Sequence, residues 1–113
     1  MLGHSLKVYG EDLYNAGTSG VVNAGSTNGA LVINLVAIAD DASFAETTVT
    51  VKQGATADNV TKDCGSFVAE AKSNVKAGEV IASFTPSNVE TFLTATVSGE
   101  TTNARVTLGY LPR

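Results

Sequence analysis

A chain of 113 residues, 43% apolar and only 16% charged, has the length and composition of one folded domain and lacks the signature of disorder. A net charge of −4, with seven Lys and Arg scattered along the chain, excludes the clustered basic surface that nucleic-acid phosphates require. Cys64 is the only cysteine, so no internal disulfide can form and stability must come from packing.

Residues 1–20 are the least regular part and are read as an N-terminal arm or edge segment, with a β-sandwich domain over 21–113. Lys7-Val8-Tyr9 suits a short strand, whereas Gly10-Glu11-Asp12 and the stretch from Asn15 to Gly20 suit turns. The first seven residues lack the apolar core of a signal peptide, which, with the lone thiol, predicts a protein made in a reducing cytoplasm. Gly20-Val21-Val22-Asn23 is a second short-strand candidate, closed by the Asn28-Gly29 turn signal.

Ala30 to Ala39 is apolar on both faces apart from Asn34. Its length falls far short of the roughly 20 residues that span a bilayer. Val32, Ile33, Val36 and Ile38 are β-branched, so the pattern predicts a strand buried on both sides or covered by a neighbouring subunit. From Glu46 to Lys52, Val49 and Val51 alternate with Thr48, Thr50 and Lys52, the pattern of a half-exposed antiparallel strand. The polar run from Gly54 to Asn59 then turns the chain.

The stretch from Ser66 to Val75 admits two readings. Phe67, Ala71 and Val75 fall at helical spacing behind a Ser66 N-cap, yet Phe67 and Ala69 also alternate; a short strand followed by a loop is preferred. Glu79 to Phe84 reads as a strand ended by Pro86, which cannot donate to a ladder. Phe92 to Ser98 and Ala104 to Leu111 form a hairpin around Gly99 to Thr102. The whole predicts an all-β antiparallel sandwich of seven or eight strands, with jelly-roll order favoured.

Residues able to do chemistry are few and dispersed. His4 stands alone in the N-terminal segment, with no nucleophile or orienting acid tied to it. Cys64 follows Asp63, whose charge opposes a reactive thiolate, although Lys62 lies close by. Asp40, Asp41, Asp58 and Asp63 occupy turns and could meet at one end of a sandwich, but calcium-loop spacing is missing. Asn59-Val60-Thr61 is a formal glycosylation sequon, and the glycine-rich turns at 17–20 and 25–29 lack the phosphate-loop pattern. No catalysis, metal or cofactor is expected.

Interaction surface remains. Blocking residues on strand borders are few (Lys52, Pro86 and Pro112), which predicts self-association or docking, with a closed barrel as the alternative. Contacts are expected from Lys7, Val8 and Tyr9 as an arm over a neighbour, from Phe92, Thr94 and Thr96 on one strand face, and from Arg105 and Tyr110.

The C-terminal third also carries a resemblance. Lys76-Ala77-Gly78-Glu79-Val80, Pro86, the strand from Phe92 to Gly99 and the strand from Ala104 to Leu111 resemble the jelly-roll cement, or decoration, proteins of tailed-bacteriophage heads. Ala45 to Gln53 looks like their central strand, so the resemblance covers residues 30–113. It departs from the family where an aromatic and Arg-rich strand is replaced by Phe92-Leu93-Thr94-Ala95-Thr96. The resemblance implies a homodimer or trimer on the outer capsid surface, clamping seams between major capsid proteins without a cofactor. An acidic protein suits the shell exterior, away from packaged DNA. The rival expectations are a carbohydrate- or surface-binding β module of a phage tail or fibre, and a shell-forming structural protein.

Overall fold

The structure, a computed structural model, describes residues 7–8, 12–23, 30–86 and 91–111. These residues are all-β, with no helix among them. The strands are β1 (Lys7–Val8), β2 (Tyr14–Asn15), β3 (Thr18–Ser19), β4 (Val22–Asn23), β5 (Ala30–Ala37), β6 (Asp41–Phe44), β7 (Thr47–Gly54), β8 (Lys62–Ala69), β9 (Lys72–Val75), β10 (Val80–Phe84), β11 (Phe92–Ser98) and β12 (Ala104–Leu111). The expected count of seven or eight is therefore exceeded, because several two-residue and four-residue pieces pair alongside the long strands.

Two antiparallel sheets face each other. One has the order β10-β5-β12-β2-β3, with β1 also pairing β12; the other has the order β4-β11-β7-β8. A separate two-stranded piece joins β6 and β9. The pairings are nested in sequence: β2 with β12, β4 with β11, β5 with β10, β6 with β9, and β7 with β8. The chain is thus one long antiparallel ribbon, doubled back at the β7–β8 turn and wound between the sheets. The β6–β9 piece is the stretch of ribbon that crosses from one sheet to the other.

Period-two alternation drives this arrangement. Leu31, Ile33, Leu35 and Ala37 of β5, Val49 and Val51 of β7, Leu93 and Ala95 of β11, and Val106 and Leu108 of β12 all point into a single core. Val32 and Asn34, on the other face of β5, are also buried, as the two-sided apolar run predicts. Asn34 satisfies its polarity by accepting a hydrogen bond from Ser83 Oγ at 2.7 Å.

The ambiguous stretch after Ser66 resolves as strand. Phe67 turns inward to stack on Phe84 at 5.5 Å between ring centroids, Val68 turns outward, and β9 follows after a break at Glu70 and Ala71. Alternation prevails over the helical spacing because only the pleat lets Phe67 reach Phe84, on the edge strand of the opposite sheet.

Residues 12–20 form the border of the larger sheet. Leu13 and Tyr14 sit in the core, and Tyr14 Oη donates to Thr101 O at 2.9 Å. Ser19 Oγ donates to Ala95 O at 2.7 Å, which ties this border to the opposite sheet. Gly99 makes the β11–β12 turn possible: its φ is +116°, and a Cβ there would lie 2.2 Å from Glu46 O.

Leu93→Ala, which empties a fully buried site, should lower unfolding free energy by about 2–5 kcal/mol in urea titrations. Thr96→Ala, on the exposed face of the same strand, should change it by less than about 0.5 kcal/mol.

Candidate contact surfaces

The expected contact residues that the structure describes fall on strands of both sheets. On β11, Phe92 and Thr94 are half-buried and Thr96 is exposed, whereas Leu93 and Ala95 between them are fully buried. This side of the four-stranded sheet therefore faces out. Register places Thr96 beside Thr50 and Thr50 beside Ser66, so a row of hydroxyl residues crosses three strands. Ser98 lies beside Thr48, which lies beside Val68. Val68 is the most exposed large apolar residue of the described chain at 59%. Only Lys52 and Asp63 bring charge to these rows, and they pair with each other.

The remaining expected contacts lie along β12 in the other sheet. Lys7 and Val8 pair with Tyr110 and Gly109, which brings the N-terminal strand alongside the C-terminal one. Tyr9 lies outside the described residues, as does His4. Arg105 sits towards the other end of β12, where its Nε donates to Asp12 Oδ2 at 2.8 Å. Asn15 Nδ2 donates to the same oxygen at 3.0 Å. Arg105 is therefore engaged in holding β2 against β12, with its side chain 41% exposed.

Sequence patterning marked Thr48, Thr50 and Lys52 as one face, but it missed Ser66, Asp63 and Val68 as their neighbours. The signal was incomplete because β8 carries a bulge. Its register passes from Val51 beside Gly65 to Lys52 beside Asp63, leaving Cys64 without a counterpart. Two exposed apolar residues, Ile38 and Val80, were also missed. They lie where β5 ends and β10 begins, near Val36, the cross-strand neighbour of Val80.

The titratable groups do not converge. Asp40 Oδ1 accepts from Ala77 N at 2.9 Å, and Asp41 accepts from Ser43 N at 3.0 Å. Asp58 lies in the turn at the far end of β7, so the four turn aspartates do not meet. Among the described residues no group of three or more potential ligands gathers around one point. Lys52 holds the Asp63 carboxyl below its ordinary value of 3.8, and Lys72 does the same for Glu79 below 4.5. Both pairs support the fold above those ordinary values, and the support disappears as pH falls below them. Each is a surface pair, so the effect is small.

Burial pushes the Cys64 thiol above its ordinary value. The neighbouring Asp63 was the cause expected from sequence, but desolvation is what raises the thiol. Cys64 should therefore react with iodoacetamide more slowly than free cysteine at pH 8, with mass spectrometry following the adduct. No protein-family model matches the chain, and neither a curated protein nor a solved structure proves similar to it, so a functional reading rests on these surfaces and on the strand order.

Proposed function

We propose that this chain is a decoration protein of a phage head: a jelly roll that binds the outer capsid surface and reinforces contacts between major capsid proteins. The observation that carries the reading is the nested ribbon. Its four main pairs alternate between the two sheets, which supports a jelly-roll reading, and that architecture recurs in viral capsid and lectin domains. Fold alone does not determine function, so the surfaces must also suit the task.

They do so in three ways. The outer face of the four-stranded sheet is rich in hydroxyls and nearly free of uncompensated charge, which lowers the desolvation cost of docking on another protein. On the opposite sheet Arg105 is partly exposed, which leaves a second side from which a neighbour can be engaged. The formal charge of −4 disfavours contact with packaged DNA and suits the particle exterior.

A molecule that grips two shell subunits stabilises by mass action, because it binds the assembled shell better than its separate parts. In this reading the partners are the major capsid protein and further copies of the chain as a dimer or trimer. The protein is made in the host cytoplasm and resides on the virion.

The wild-type protein should co-sediment with expanded capsids of its own phage, and light scattering should report an oligomer. Thr94→Glu with Thr96→Glu should weaken capsid binding by about tenfold or more, a loss of roughly 1.4 kcal/mol, while leaving the thermal midpoint nearly unchanged. Failure of the wild-type protein to sediment with those capsids, at concentrations where it is folded, refutes the assignment.

A further inference from the structure

A shallow depression of about 250 Å³ interrupts the outer face of the four-stranded sheet, lined by Thr50, Asp63, Gly65 and Ser66. We propose that it is a binding site for a single ring of a neutral saccharide. The depression shares Thr50 and Ser66 with the proposed docking face but takes a different ligand class, so a sugar titration and capsid sedimentation fail separately.

The lining chemistry selects the ligand class. Two hydroxyls and a carboxylate face the depression, and the Lys52 ammonium is paired with that carboxylate. The formal charges cancel, so neither an anion nor a cation gains a net partner. An apolar ligand would strip water from these groups and return no hydrogen bond. A polyol both donates and accepts at every position, which matches hydroxyls that do the same and a carboxylate that accepts twice. Drug-sized ligands occupy pockets of roughly 300–1,000 Å³, so a smaller space suits one sugar ring rather than an oligosaccharide.

The bulge supplies the floor. Cys64 has no counterpart on β7, so the ladder is locally disrupted and β8 bends beneath the depression. Core packing holds the bulge in place from beneath. Gly65 has a φ of +151°, and a Cβ there would lie 2.5 Å from the Phe84 ring, which stacks on Phe67. The β8–β10 seam therefore fixes the bulge that lies beneath the depression. With no aromatic platform against the sugar, the dissociation constant belongs in the millimolar range.

The test is an amide NMR titration of the full chain with glucose, galactose, mannose and N-acetylglucosamine, each taken to tens of millimolar, and with inorganic phosphate. At least one sugar should shift the Gly65 and Ser66 amides saturably. Asp63→Asn and Ser66→Ala should each weaken that binding by about fivefold or more, whereas Asp58→Asn should not. Spectra away from β7 and β8 should stay unchanged in all three variants, which separates lost binding from lost fold. The proposal is overturned if none of the sugars shifts these amides, if the shifts persist at full strength in both site variants, or if only phosphate produces them.

Discussion

The long ladder between β5 and β12 is the constraint on which the rest of this molecule depends. It pairs Ala37 with Ala104 at one end and Ala30 with Leu111 at the other, joining segments far apart in sequence. The ladder sets the phase of both strands. Leu31, Ile33, Leu35, Val106 and Leu108 then face the opposite sheet together, and a slip of one residue would turn them all outward. β7 and β11 answer with Val49, Val51, Leu93 and Ala95, all fully buried. Removal of this apolar surface from water is the main term favouring the folded state.

The nested ribbon also explains how the sandwich ends are closed. At one end β6 and β9 carry the ribbon from sheet to sheet, with Asp40 and Asn103 binding the backbone of adjoining turns. Along one side Phe84 and Phe67 close the seam between β10 and β8, the border strands of the two sheets. Along the other, the β2–β3 hairpin reaches both sheets through Arg105 with Asp12 and through Ser19 with Ala95 O. Most pairings are distant in sequence, a topology expected to fold slowly compared with helical domains of the same size. The bulge at Cys64 bends the exposed border of β8, which is one way such edges avoid uncontrolled pairing.

The same architecture sorts the surface. In the four-stranded sheet, strands that bury every second residue leave the alternate set outside, and that set is mainly Thr and Ser. Such a face carries hydrogen-bonding capacity without much charge, so it can meet another protein or a polyol at modest desolvation cost. The few ionic groups are mostly spoken for within the chain: Lys52 by Asp63, Lys72 by Glu79 and Arg105 by Asp12.

Much of this was legible in one dimension. A β-branched apolar run marked β5, and period two marked β7, β11 and β12, within a residue or two, because pleat geometry imposes that period on a strand with one buried face. Composition was enough to set aside nucleic-acid binding and an internal disulfide as expectations. What the chain could not reveal alone was which strands become neighbours, since pairing depends on contacts between distant segments. The Thr96–Thr50–Ser66 row, the Asp12–Arg105 pair and the depression over Gly65 arise only when separate segments meet. The bulge at Cys64 belongs with them: Gly65 lacks a side chain because Phe84, nearly twenty residues onward, already fills that space.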